Sequence, residues 1–394
     1  MTFRELVRGA AMGAGGSILA SMLLLQRYLR QELQRPELIH APLEDKELED
    51  KYLTQEVRLL LREYWPHPVL EFSGYVSTLW SAFWAAVPSH VPVGDIELLT
   101  LQDGGTVSLD WGPKPERTGR ERIVLVLPGM CNHSGTSFIQ TTMRHLKQAG
   151  FRAVALNYRG VGGLQLTSPK IASFDSWQDL HEVVEHIATK YPDGDIFAVG
   201  FSMGSLILLR HLGEEGHRAR IKAGVAIAAP VDFRKAIQGL ESTPKRLALN
   251  FAMAQSLKLT LLSSAFKSEH TRAVNKIKAW RALTMRQLDE ATTCKLNGYS
   301  SPEEMYDHND PKTVISQIAV PTLVVNAEDD PVVTVRALPF RQMRRNPRLY
   351  VAVTRRGGHI GWGSGGLGGA CWTDAMAVDF LLACSLRGAR PSRL

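Results

Sequence analysis

The stretch DIFAVGFSMGSLILLRHL, Asp195 to Leu212, holds a serine between two glycines, with an apolar run before it and a leucine-rich run after it. The first seven residues have the length and composition of a buried strand, and the run from Gly204 has the spacing of a buried helix. A serine on a tight turn between such a strand and helix needs very small residues two positions away on each side, because the helix packs closely there. Gly200 and Gly204 meet that need and complete a G-x-S-x-G turn. The pentapeptide alone carries little weight in a chain with 33 glycines. The strand and helix around it make Ser202 a candidate nucleophile.

Outward from this turn, the chain after Pro92 alternates short apolar runs with amphipathic stretches, the pattern of a mainly parallel α/β sheet. Eight strands are expected: IELLTL and TVSLDW, joined by the turn Asp103-Gly104-Gly105, then IVLVLPG, FRAVALNYRG, DIFAVGF, AGVAIAAP, TLVVNAED and RLYVAVTR. Helical patterns such as TSFIQTTMRHLKQAG, SWQDLHEVVEHIATKY and GSLILLRHLGEEG lie between them. The expected fold is a doubly wound, mostly parallel eight-stranded sheet. Ligands of such sheets bind beyond the carboxyl ends of the strands, so the residues just after each strand carry the search for a site.

A serine hydroxyl needs a base, and the base needs a carboxylate to fix its tautomer. Asp329 and Asp330 follow the seventh expected strand, and His359 follows the eighth, after two glycines. Either aspartate could reach the imidazole; Asp330, directly before Pro331, is preferred, which leaves Asp329 and Glu328 as turn formers or caps. The order serine, acid, histidine matches one known arrangement of these groups, with each residue at a strand end. Donors for an oxyanion are expected from the backbone N–H of Met203, directly after the serine, and from that of Met130 in LPGMCNHSG.

With these pieces the sequence resembles the α/β-hydrolase superfamily, in particular the branch of abhydrolase-domain lipases and carboxylesterases that carry an N-terminal membrane anchor. The matching segments are DGGTVSLDW, VLPGM, NYRGVGG, GFSMGS, AEDDPVV and GGHIGW, with HPVLEFSGYVSTLW upstream, so the likeness runs from about His67 to Trp362. It implies a triad of Ser202, Asp330 and His359, action on acyl esters including monoacylglycerols, phospholipids and simpler esters, and residence in the endoplasmic reticulum membrane. PGMCNHSG replaces a threonine- or serine-rich loop of the relatives, and GSGGLGG after the histidine is unusually rich in glycine. Both bear on substrate choice.

The remaining segments add a cap and an anchor. Residues from about 233 to 310 interrupt the sheet between the sixth and seventh expected strands; RLALNFAMAQSLKLTLLSSAF is apolar and helical, as suits a cap that holds acyl chains. Its leucines and methionines serve equally to pack the cap on the sheet. Residues 93–386 would form the hydrolase domain. Upstream, GAAMGAGGSILASMLLL, Gly9 to Leu25, has no charge and is bracketed by Arg8 and Arg27, so residues 1–26 are expected to be an uncleaved membrane anchor. No small-x-small cleavage site follows the leucines, and Glu5 does not suit a mitochondrial presequence. Residues 27–92 are expected to form a helical stalk and an aromatic wrapping segment, and 387–394 a basic tail.

Composition narrows the partners. The net charge of +7 comes from scattered Lys and Arg interleaved with acids, which favours a solvated surface over nucleic-acid binding. The four cysteines are far apart and form no CxxC pair, so they are expected to be free thiols. In HEVVEH, His181 and His186 are five apart and do not share a helix face, unlike a zinc-binding i, i+4 pair. HVPVGD is taken as a chance match to acyltransferase spacing, and NYRGVGG lacks the spacing of a dinucleotide fingerprint. Asn132 heads a glycosylation sequon inside the expected oxyanion loop, where a glycan would block the site. The expectation is thus a membrane-anchored serine hydrolase of lipid-like acyl esters that needs no metal or cofactor. Acyl transfer to an alcohol by the same triad, or a catalytically silent scaffold, are the alternatives, and the oligomeric state stays open.

Overall fold

A computed structural model describes residues 36–42, 53–58, 61, 64, 66–67, 71–86, 94–116, 119–263, 268–363 and 371–387. The expected anchor, 1–26, the tail from 388 and the glycine run 364–369 lie outside them. Among the described residues no helix is long and apolar enough to cross a membrane.

Nine strands form one sheet in the order β1-β9-β8-β7-β6-β4-β5-β3-β2. They are β1 (Glu37–His40), β2 (Ile96–Thr100), β3 (Thr106–Trp111), β4 (Arg122–Leu127), β5 (Arg152–Asn157), β6 (Asp195–Phe201), β7 (Ile221–Ile227), β8 (Thr322–Ala327) and β9 (Leu349–Thr354). All eight expected strands are present, from β2 to β9. The ninth, β1, pairs antiparallel with β9. It lies in the segment expected to be a helical stalk, and four residues of ELIH carry too short a pattern to read as a strand without the edge they dock on. β2 and β3 form an antiparallel hairpin, β3 pairs antiparallel with β5, and the six strands from β5 to β9 through β4 run parallel.

The helices are α1 (Gly74–Ala86), α2 (Ser137–Gln148), α3 (Trp177–Lys190), α4 (Met203–Glu215), α5 (Phe233–Leu240), α6 (Pro244–Ser263), α7 (Lys276–Arg281), α8 (Met285–Ala291), α9 (Thr293–Asn297), α10 (Pro302–Asn309), α11 (Phe340–Met343) and α12 (Trp372–Arg387). The central strand β4 shows how the layers form. Ile123, Leu125 and Leu127 join one core with Leu180 and Val183 of α3 and Leu206 and Leu209 of α4. Val124 and Val126 point the other way, into a second core with Ile139 and Met143 of α2 and Met376 and Phe380 of α12. A strand covered on both faces loses its polar alternation, which is why RIVLVL is nearly all apolar. Between β7 and β8, α5 to α10 form the helical insertion expected at 233–310.

β5 and β6 lie on opposite sides of β4, so the chain changes direction across the sheet between β4 and β6. That is the point where a parallel sheet opens a crevice at its carboxyl edge. The turns after β4 and β6 carry Met130 and Ser202.

Candidate active site

The turn after β6 is sterically exacting. Ser202 has φ 50° and ψ −112°, a strained backbone for a residue with a side chain. A Cβ on Gly200 would stand 2.5 Å from the carbonyl oxygen of Gly204, and one on Gly204 would stand 2.1 Å from that of Leu127. Any larger residue at either position would push α4 off β4 and β6. The Ser202 N–H donates to the Ile227 carbonyl at 2.9 Å, which ties the turn to β7. The hydroxyl is thereby held above the carboxyl edge of the sheet.

His359 Nε2 lies 2.8 Å from Ser202 Oγ, and His359 Nδ1 lies 2.8 Å from Asp330 Oδ2. Of the two neighbouring aspartates, Asp330 is the one beside the imidazole. The Asp330 side chain is fully buried, and its other oxygen accepts from the N–H groups of Val332 and Val333 at 2.7 and 2.9 Å. Those donors fix the orientation of the carboxylate toward the ring. Asp329 turns the other way: its Oδ1 accepts the Gly358 N–H at 2.9 Å, so it holds the loop that carries the histidine. Burial raises its pKa to about 6.

The turn after β4 stands against the serine. An added Cβ at Gly129 would meet Ser202 Cβ and the Phe201 carbonyl at 3.4 Å each. Asn132 N–H closes the turn on Gly129 O at 3.1 Å, with Cys131 at φ 64°. Among the described residues, the N–H groups of Met130 and Met203 enter no hydrogen bond with the chain. Both methionines line a small apolar recess together with Ser202. Asn132, the sequon residue, lines the same cleft as Ser202 and donates to the Met130 carbonyl at 3.0 Å. Cys131, Cys294 and Cys371 are free thiols.

Two supports of the site were not legible in the sequence. The first is α1, the core of the segment expected only to wrap the domain. Thr78 Oγ1 accepts the His359 N–H at 2.9 Å, Ser81 donates to Ile360 O at 2.8 Å, and Ser77 donates to the carbonyls of Gly357 and Gly361 at 3.1 and 3.0 Å. Gly358, at φ 54°, brings its backbone so close that a Cβ would lie 2.6 Å from Gly74 O. The only signal was a row of small hydroxyl residues at i, i+1 and i+4 among aromatics. The second is a buried polar knot below the β4 turn. Asn157 accepts the Ser134 N–H at 2.8 Å and donates to Asp110 at 2.9 Å, and Ser134 Oγ donates to Asp110 at 2.5 Å. Asp110, Asn157 and Ser134 are each isolated polar residues in the sequence and meet only when β3, β5 and the loop are assembled.

The serine and histidine open into a cleft of about 740 Å³. Leu79, Ala82 and Ala85 of α1 form one wall, and Leu249, Ala252 and Met253 of α6 form another. The volume is within the range of small-molecule sites, roughly 300–1,000 Å³. No Asp or Glu is among the described residues that line it.

Comparisons with known proteins give the family of the chain. Residues 118–347 match the family Hydrolase_4, described as serine aminopeptidase, S33. The chain is 29% identical to embryogenesis-associated protein EMB8 of Picea glauca, over 90% of this chain and 78% of that one. It is 26% identical to monoacylglycerol lipase ABHD2 of Bos taurus, over 84% and 82% of the two chains. Against phospholipase ABHD3 of Homo sapiens the identity is 28%, over 68% and 66%. With the family model covering more than half of its length, the chain belongs to the Hydrolase_4 family of α/β-hydrolases.

Proposed function

We propose that this protein is a serine hydrolase of lipid-like acyl esters that works through an acyl-enzyme at Ser202. The observation that carries the reading is the unbroken chain from Ser202 Oγ through His359 to buried Asp330, at 2.8 Å for each link, at the floor of an apolar cleft. His359 takes the hydroxyl proton as Ser202 attacks the acyl carbonyl. Asp330 keeps the proton on Nδ1 and stabilises the imidazolium that forms. The N–H groups of Met130 and Met203 receive the oxyanion, with no bond to the chain to give up. His359 then returns its proton to the leaving alcohol, and water, activated by the same ring, releases the acid.

The cleft favours an acyl chain over a peptide. An aminopeptidase must hold the substrate's ammonium group, and a desolvated cation without a carboxylate partner costs several kcal/mol. The described lining has no such partner. The lipase and phospholipase relatives support the same direction. The open cleft also speaks for an enzyme rather than a silent scaffold. The uncharged segment Gly9–Leu25 supports a further reading, a chain held at a membrane by its N-terminus.

A fluorophosphonate probe tests the nucleophile. Detergent-solubilised protein should be labelled and Ser202→Ala should not, with both folded by circular dichroism; unlabelled wild type would sink the mechanism. Monoacylglycerol and lysophospholipid should then be turned over, and an aminoacyl p-nitroanilide should not. Alkaline carbonate extraction of membranes, on the full chain and on a variant lacking residues 1–26, tests the anchor.

A further inference from the structure

At the end of α4 remote from Ser202, His211 and Glu215 stand four residues apart and so share one face of the helix. His181 of α3 faces them across the seam between the two helices. Its Nδ1 lies 3.2 Å from Glu215 Oε1, and its ring centroid lies 6.1 Å from that of His211. One ligand atom from each of the three residues lies within 4.8 Å of the others. His211 is 1% exposed, and neither of its ring nitrogens has a hydrogen-bond partner among the described residues.

A buried imidazole without a partner is costly, because both nitrogens give up water. The 3.2 Å between His181 and Glu215 is close to the separation of two ligands around a tetrahedral ion, about 3.4 Å for bonds of about 2.0–2.1 Å.

We infer that His181, His211 and Glu215 form a binding site for a divalent transition metal of the zinc class, joining α3 to α4. Two imidazoles and one carboxylate suit such ions, whereas calcium and magnesium take oxygen ligands. The His181 side chain is 47% exposed, which gives the ion a way in and leaves a fourth position for water. α4 has 13 residues and is therefore about 20 Å long. The ion would brace the far end of the helix that starts at the nucleophile and would take no part in the reaction.

Full-length protein, stripped with a chelator and dialysed, provides the test. Titration with Zn²⁺ should show one equivalent bound per chain by elemental analysis, and Co²⁺ should give the visible absorption of a four-coordinate site. The melting temperature should rise by about 2 °C at ten times Kd. His181→Ala changes a half-exposed residue outside the core and should fold as wild type, yet lose roughly a hundredfold or more in affinity. Glu215→Gln should weaken binding in the same sense. Wild type without stoichiometric metal, or His181→Ala binding as tightly as wild type, would overturn the site and leave an ordinary His181–Glu215 contact.

Discussion

Ser202 sits at φ 50° because the turn that exposes its hydroxyl cannot be made with an ordinary backbone, and the strain is held by the packing of Gly200 and Gly204. Gly204→Ala would bring a methyl group to 2.1 Å from the Leu127 carbonyl, so backbone must move. A loss of about 3 kcal/mol or more is expected, together with loss of probe labelling, read by urea denaturation and by labelling of the folded fraction. The two neighbouring aspartates should separate cleanly. Asp330→Asn leaves the ring in the wrong tautomer and should lower kcat by about 10⁴-fold. Asp329→Asn keeps an oxygen for the Gly358 N–H and should stay within about tenfold of wild type. Hydrolysis of a p-nitrophenyl ester measures both, and equal losses would show that the acid has been misassigned.

At the scale of elements, the histidine loop is the part least able to hold itself. Gly357, Gly358 and Ile360 all have positive φ, and the loop takes its shape from the hydroxyls of α1. Thr78→Val removes the acceptor of the His359 N–H while keeping the side-chain shape. Probe labelling should slow by about ten- to a hundredfold with the circular dichroism spectrum unchanged, since about 1 Å of misplacement has that effect. α6 plays the other part, as a wall of the cleft. Met253→Trp should narrow the cleft and, on the proposed function, move the preferred chain length downward, measured on a series of p-nitrophenyl esters. An unchanged preference would mean that the acyl chain lies elsewhere.

Across the whole molecule, the N-terminal segment is tied to the hydrolase fold through buried Glu71. Its Oε1 accepts the Gly363 N–H at 2.7 Å, and its Oε2 accepts the Tyr64 hydroxyl and the His67 N–H. Burial outweighs these donors and raises the Glu71 pKa to about 7. The folded state therefore holds a proton that the unfolded chain releases near pH 4.5. This stability is complete below the unfolded pKa and is lost as the pH rises through the folded one. Between about pH 4.5 and 7 it falls by up to about 3 kcal/mol. Glu71→Gln, which keeps the shape and carries no charge, should flatten that part of the denaturation-against-pH curve. A slope identical to wild type would place the titration in another group.

The sequence by itself determined the parallel strands and the tight turn at Ser202, because each of these depends on neighbours along the chain. An apolar run of six or seven residues, rich in β-branched side chains and bounded by turn residues, reads as a buried strand, and two glycines around a serine relieve a clash within one turn. Ser202, Asp330 and His359 come together for a related reason: each lies within a few residues of the carboxyl end of a recognisable strand, and the carboxyl ends of parallel strands converge. Only the tertiary structure decided the rest. The strand β1 exists because β9 offers an open edge, and the hydroxyls of α1 matter because a loop some 280 residues later folds against them. His181 reads as a lone surface histidine until α3 and α4 pack and bring His211 and Glu215 beside it. Such contacts follow from the directions of side chains across packed layers, and those directions are set by burial of the whole core rather than by any local stretch of sequence.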